Sequence, residues 1–425
     1  MTITARPRVF EPFANRGFSL YFTGQALSNT GAWFQNIALS LVVLDATGSA
    51  QSLSGVTIAQ FLPLLVLSVP AGRIADRVRP RTILLVTSLL SAAVVGGIAV
   101  ATLDDTPQLG VVYALVAVLG CVNTFERVAA QAIIFEIVGP AALTRAASLS
   151  TIAVASARSV GPGLAGIAFQ SLGATACMLV NAASFLIVFV SVLLIRPSRL
   201  HPRVRRARTD APPPRRPSRP LVTLFVVNTV VALLAMNLGL VLTSTVTLTF
   251  DGDATAVGAA HALNAIGAIA GGIVAAGRAS VSVRSLTAAC ALFGGSLLAN
   301  AAAPTLSVFL LVGPLLGLGV GYYQGILNAA AQASVPPRLI GRTMSLVTLG
   351  NYGMVPFGAL LMGWVIDQSS GRVALAIGGT AAIACAVFVV ARLGRRPSRS
   401  RGAQPEVEPE ADDPPETESE PSTRE

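Results

Sequence analysis

The chain is a succession of apolar stretches of membrane length, and its arginines fall almost entirely in every second gap between them. A bilayer core about 30 Å thick needs roughly 20 apolar helical residues to cross it. Backbone polar groups in that layer must be satisfied within the segment, which an α-helix does. Such stretches fall at 18–44, 53–72, 82–102, 109–133, 146–169 and 174–195. After a polar gap they resume at 221–249, 256–277, 285–302, 305–330, 343–366 and 373–391. The pattern predicts an all-α membrane protein with twelve transmembrane helices in two pseudo-symmetric six-helix bundles. Only 12% of the 425 residues are charged, against about a quarter in a soluble domain.

Arginine placement sets the expected orientation. All 30 basic residues are arginine, and with both termini in the cytoplasm 27 of them lie on the inner side. Arg372 alone falls outside, and Arg127 and Arg158 fall within spans. Asp45, Asp104, Asp105, Asp251, Asp253 and Asp367 all map to the outer side. Cytoplasmic loops carry such an excess of positive charge, so both termini are expected inside, in a multi-pass protein of the cell membrane. The abundance of Arg, Ala, Gly and Val suits a GC-rich bacterial genome. A net charge of +10 dispersed in short loops argues against a nucleic-acid partner. Met1–Arg16 shows no short apolar core followed by a cleavage site, so no removable signal peptide is expected.

The expected domains are an N-terminal bundle at 1–195, an Arg/Pro-rich cytoplasmic linker at 196–220, a C-terminal bundle at 221–392 and a disordered acidic tail at 393–425. Arginine and proline in the linker preclude a packed core and suit a solvated segment near anionic lipid headgroups. Residues 402–425 hold nine acids and five prolines. Cys121, Cys177, Cys290 and Cys385 are far apart in apolar runs and lack the clustering of a metal site. With no lysine there is no G-x-x-x-x-G-K-[ST] phosphate loop, and no nucleophile or paired mid-membrane carboxylates stand out. Neither an enzyme nor a cofactor or metal is expected.

A shift of 197 residues superposes part of each half: Arg145 on Arg342, Ser148 on Ser345, Leu149 on Leu346, Gly161 on Gly358 and Gly166 on Gly363. Two such parallel halves with a midplane site between them are a known transporter plan.

Three stretches carry a resemblance to a family. Gly72, Asp76, Arg77 and Arg81 stand at the spacing G-x-x-x-D-R-x-x-x-R between the second and third spans. The first helix, 13–43, and residues 125–166 carry the rest. In the latter, Ala157-x-x-x-Gly161-Pro162-x-x-Ala165-Gly166 is similar to the exporter motif G-x-x-x-G-P-x-x-G-G, with two glycines replaced by alanine. The chain resembles the major facilitator superfamily over about residues 12–392, and within it bacterial drug and siderophore exporters of the enterobactin-exporter and macrolide-efflux type. Val128 and Ala130 depart from that group, which has a Pro and an Arg there. Gly272–Arg284, the second-half counterpart of 72–81, lacks the acid.

The resemblance implies that Gly72, Asp76, Arg77 and Arg81 latch the cytoplasmic side shut, Asp76 capping the eleventh span near Thr343 and pairing with Arg77 or Arg81. Pro162 removes a helix hydrogen bond, and the small residues at 157, 161, 165 and 166 admit a close helix, for packing and gating. A buried charge needs a partner, so Arg158 is expected to pair with Glu126, beside Arg127, as a structural pair or in proton coupling. Gln35, Asn36, Asn228, Asn237, Gln324, Asn328, Asn351 and Tyr352 are candidates for a mildly polar cavity. The expected activity is secondary export of an amphipathic small molecule by alternating access, with protons as the counter-ion and a monomer as the working unit. An uptake permease for a polar solute and a membrane sensor without transport are the competing readings.

Overall fold

The computed structural model describes residues 8–103, 107–201, 219–278, 282–335 and 340–393. Most of the linker and the tail therefore lie outside the described residues, as do Asp104, Asp105 and the side chains of Arg342 and Ser345. Every regular element described is helical. After a 3-10 turn at Arg8–Ala14, α1 spans Arg16–Thr47, α2 Ala50–Arg77 and α3 Pro80–Ala101.

Helical backbone then runs from Leu109 to Leu193, 85 residues. A straight helix of that length would measure roughly 130 Å at about 1.5 Å per residue, several bilayers deep. Gly139 (φ 68°) and Gly173 (φ 81°) break it. With ψ near 180° at both, this backbone is open essentially to glycine alone, which has no side chain to clash. The run divides into α4 (109–138), α5 (140–172) and α6 (174–193). The sequence patterning had left irregular gaps at those bends, whereas the helices continue up to single glycines.

The second half begins with α7 (Arg219–Thr249), interrupted at 235–237 and closing in a π-helical turn, Thr245–Thr249. α8 (Ala254–Ala276), α9 (Val283–Ala301), α10 (Leu306–Ala333), α11 (Ile340–Gln368) and α12 (Gly371–Leu393) follow. Among the described residues eight helical runs are long and apolar enough to cross a membrane, the 85-residue run counted once. Divided at its glycines, and with the more polar α1 and α9, they make twelve stretches.

Two faces can be named from the contacts. On the terminal face, Asn15 Nδ2 donates to Ile137 O (2.8 Å), and Arg81 donates to Leu193 O and Ile195 O at 3.0 and 3.1 Å. The N-terminus of α1 and the ends of α4 and α6 meet there. On the distal face, the α1–α2 turn meets the end of α11, and Arg372 donates to Pro304 O at 3.0 Å between the α9–α10 and α11–α12 turns.

The apolar core divides unevenly. One cluster takes in the C-terminal bundle and the distal half of the N-terminal bundle, including Leu41, Leu53, Val257 and Val365. A separate cluster fills the terminal half of the N-terminal bundle with Phe18, Leu84, Ile133 and Val192. Buried packing is thus continuous between bundles on the distal side.

Two crossings join the bundles there. Gly166 of α5 lies against α8, and a Cβ on its partner Gly258 would stand 2.5 Å from Pro162 O and 3.1 Å from Gly166 Cα. Gly363 of α11 lies against α2, where a Cβ would stand 2.9 Å from Ala50 O. These two glycines are repeat mates in the 197-residue shift. Their companions match too: Gly161 packs on Trp33 of α1, and Gly358 on Leu233 and Asn237 of α7. The internal repeat is therefore a repeat of contacts.

Gly166→Leu should destabilise the protein by about 1–3 kcal/mol, the usual cost of overpacking. Gly272→Leu, where an added Cβ meets nothing within 4 Å, should change it by less than about 0.5 kcal/mol. Unfolding midpoints of the purified protein test this, and equal midpoints would contradict the crossing.

Candidate functional site

In the terminal half of the first bundle, α1, α4 and α5 line a cavity of about 510 Å³. α1 contributes Gln25 and Asn29, α4 Gln131, and α5 Ser150, Thr151 and Val154. Helical spacing shows where this cavity opens. On α5 the stripe 147, 151, 154, 158, 162 continues upward into the contact with α8. On α1 the stripe 25, 29, 33 ends at Trp33, whose ring lies 5.9 Å from that of His261 on α8. The faces that meet the second bundle in the distal half thus form the cavity wall in the terminal half.

Arg158 sits at the centre of the α5 stripe, one turn from Val154 on one side and from Gly161 and Pro162 on the other. It is exposed. Arg127 on α4 is also exposed, and its guanidinium carbon lies 6.0 Å from the centre of the Tyr352 ring of α11. That is the outer limit of a cation–π contact. Tyr352 in turn stacks on Phe61 of α2 at 6.3 Å. Glu126, one residue before Arg127, is turned about 100° away by the helix and is buried. The expected Glu126–Arg158 pair is absent: among the described residues the single ion pair joins Arg145 to Glu11. The adjacent positions 126 and 127 face different ways, Glu126 buried and Arg127 exposed toward Tyr352.

The polar set expected to line the cavity divides in the same way. Gln35 is buried and accepts from Asn181 Nδ2 at 2.6 Å, inside the first bundle. Asn228 is buried and donates to Val347 O at 3.1 Å. Asn237 is buried at the α7 break and donates to Leu233 O at 3.2 Å. A buried amide must spend its donors on neighbours: Gln35 and Asn228 tie helices together, at about 0.6 kcal/mol per interhelical bond in membranes, and Asn237 satisfies its own helix at the break. Asn36, Gln324 and Asn351 are half-buried, and Asn328 and Tyr352 are exposed. Sequence reading missed Gln25, Asn29, Gln131 and Thr151; the i, i+4 run on α1 from Tyr21 to Trp33 was the available signal. His261, on the apolar α8, shares a 3.0 Å hydrogen bond with Thr243.

In the latch loop, Asp76 and Arg77 are exposed, and a Cβ at Gly72 would meet nothing within 4 Å. Arg81 does not pair with Asp76. It holds the carbonyls ending α6, where a cation is favoured by the helix dipole. Among the described residues no ion pair engages Asp76. Of the small-residue motif, Ala157, Gly161, Pro162, Ala165 and Gly166 are all buried.

The acid that does cap a helix across the bundles is Asp367, at the end of α11. Its carboxylate accepts from Ser49 Oγ (2.5 Å), Ala50 N (2.7 Å) and Gln51 N (3.1 Å). Those groups open α2, whose first amides have no helical partner and favour a negative charge. Asp367→Ala should release this distal tie. Hydrogen bonds to a charged group contribute about 1.5–3 kcal/mol, so the population open at the distal face should rise about tenfold or more. Labelling of Asn36→Cys from that face, in a background lacking the four native cysteines, measures it, and an unchanged rate would contradict the tie.

Comparison with known proteins gives this architecture its place. The chain is 26% identical to the staphyloferrin A transporter of Staphylococcus aureus, over 82% of this chain and 89% of the relative. It is 22% identical to macrolide efflux protein A of Streptococcus pyogenes, over 87% and 94%. A bacterial homologue of the iron transporter ferroportin, solved in an inward-facing state, shares the fold with a TM-score of 0.70 at 15% identity, over 88% of this chain and 98% of that one. The model of the transmembrane secretion effector family matches residues 8–415, and the chain belongs to that family, a transporter of the major facilitator superfamily.

Proposed function

We propose that the protein exports amphipathic small molecules from the cytoplasm by alternating access, in exchange for protons. The observation that carries this is the cleft: bundles tied on the distal side, with a cavity of about 510 Å³ in the terminal half. If the arginine-rich terminal face is cytoplasmic, as the positive-inside rule supports, the cavity is placed to load from the cytoplasm. The efflux relative, similar over nearly its whole length, supports the outward direction. Its mixed wall of aromatic, aliphatic and amide groups suits a substrate with an apolar body and a few polar ones.

Glu126 is proposed as the proton carrier. It is buried deep in α4, away from the helix ends where the other described acids lie. Asp76 is proposed to cap α11 in the opposite, outward-facing state. α2 and α11 run antiparallel, so Asp76, ending α2, would meet the N-terminus of α11 once the terminal halves close, as Asp367 meets that of α2 at the distal face.

Everted vesicles test direction and coupling together. Nile red, an uncharged reporter amphiphile, should accumulate in them under a proton gradient, and dissipating the gradient should cut the initial rate at least about tenfold. Glu126→Gln should lose the gradient-driven rate while keeping substrate exchange at equilibrium. Equal rates with and without a gradient would refute proton coupling. For orientation, Asp210→Cys and Glu410→Cys should resist an impermeant thiol reagent on intact cells; labelling of either would reverse the topology.

A further inference from the structure

We propose that the cleft is an anion site: Arg158, one helical turn beyond the cavity lining on α5, binds a carboxylate or similar single anionic group on an otherwise apolar substrate. This rests on the transport reading above and narrows its substrate class. The argument begins with an electrostatic imbalance. Arg158 lies near the middle of α5, where a guanidinium in hydrocarbon is costly and needs a partner or water. It is exposed, on the stripe that lines the cavity, and among the described residues no ion pair engages it.

The surrounding walls offer it no counter-ion. From α1, Gln25 and Asn29 line the cavity, and from α4 Gln131; none is charged. The spans of α7, α8 and α10 carry no acid, and α11 has none before Asp367, which is engaged at the distal face. Glu126 is buried and forms no salt bridge with either arginine; it lies close enough for its charge to interact with that of Arg127, and not with that of Arg158. Arg158 therefore stands one helical turn beyond Val154 of the cavity wall with no carboxylate paired to it, and Arg is the side chain suited to forked recognition of a carboxylate. A buried, unpartnered Gln25 Oε1 lies on the same wall, ready to accept from a polar group on the ligand body. Tyr21 and Phe22 provide aromatic surface on the cavity wall, and Tyr352 with Phe61 lies across from Arg127.

Three probes of one shape isolate the charge: naphthylacetate, naphthylacetamide and naphthylethylammonium. Their binding to the purified protein in phosphatidylcholine nanodiscs is measured by equilibrium dialysis against empty nanodiscs. The carboxylate should bind at least about tenfold tighter than the amide, the margin a charge-assisted bond gives, and the cation more weakly still. Arg158→Gln should erase the preference while leaving amide affinity within about twofold, which also reports that the variant is folded. Arg158→Lys should retain part of it. Charge-blind binding, preference for the cation, or a preference that survives Arg158→Gln would overturn the proposal. So would loss of the preference on adding phosphatidylglycerol, which would give the site to a lipid headgroup. The measurement needs no gradient: an anion preference without gradient-driven flux refutes the export reading alone, and flux with charge-blind binding refutes only this one.

Discussion

The distal tie between α2 and α11 organises the rest of the molecule. A helix N-terminus presents amides with no partner, and the carboxylate of Asp367 supplies one from the other bundle. The tie is polar and lies at an end, so it can be broken by water without tearing an apolar core. The crossing beside it, Gly166 on Gly258, is close because neither residue carries a side chain. Close backbone approach is how helices associate where surrounding lipid is as apolar as the protein. With both contacts on one side, the two bundles must diverge on the other. The division of the buried core follows the same line: the cluster around Phe18 and Ile133 stays within the first bundle.

How much of this was legible in the sequence depended on the range of the interaction. Helix number and the two-half plan follow from hydropathy, a property of each segment alone. The glycine crossings left a trace because they are used twice: Gly161 and Gly166 recur as Gly358 and Gly363. The Asp367 cap left none, since its partners stand 316 to 318 residues away and the acid reads as one more charge at a loop. Glu126 and Arg158 looked like a pair because both are charges within spans. Which way each faces depends on helix phase, and α4 extends to residue 138, five beyond its apolar stretch, so depth and phase were both uncertain. Likewise Gln35 and Asn36 are adjacent in sequence, yet one is bonded to Asn181 inside the bundle and the other is not.

The broken helices fit the same division of labour. Gly139 and Gly173 reverse the chain within one residue, which lets α4, α5 and α6 use nearly their whole length in packing. The interruption at 235–237 places Asn237 against Gly358, joining α7 to α11 inside the second bundle. Each bundle is thereby made stiff by its own polar ties: Gln35–Asn181 in the first, Asn228 to Val347 O in the second.

Two stiff bodies joined by a polar tie have an equilibrium that a ligand can move only by binding one arrangement better than the other. A ligand held by α1, α4 and α5 alone would touch one body and favour neither state. The cleft avoids that, because Arg127 already reaches Tyr352 on α11 and Trp33 reaches His261 on α8. A substrate lying between Arg158 and Tyr352 would gain contacts with the second bundle as the terminal halves approach. That gain must offset the loss of the distal tie, and three hydrogen bonds to one carboxylate set its scale at a few kcal/mol. An anion on Arg158 with an apolar body against Tyr352 and Phe61 is of the right kind to supply it. The residues that fix the substrate's charge and those that sense closure would then be opposite walls of one site.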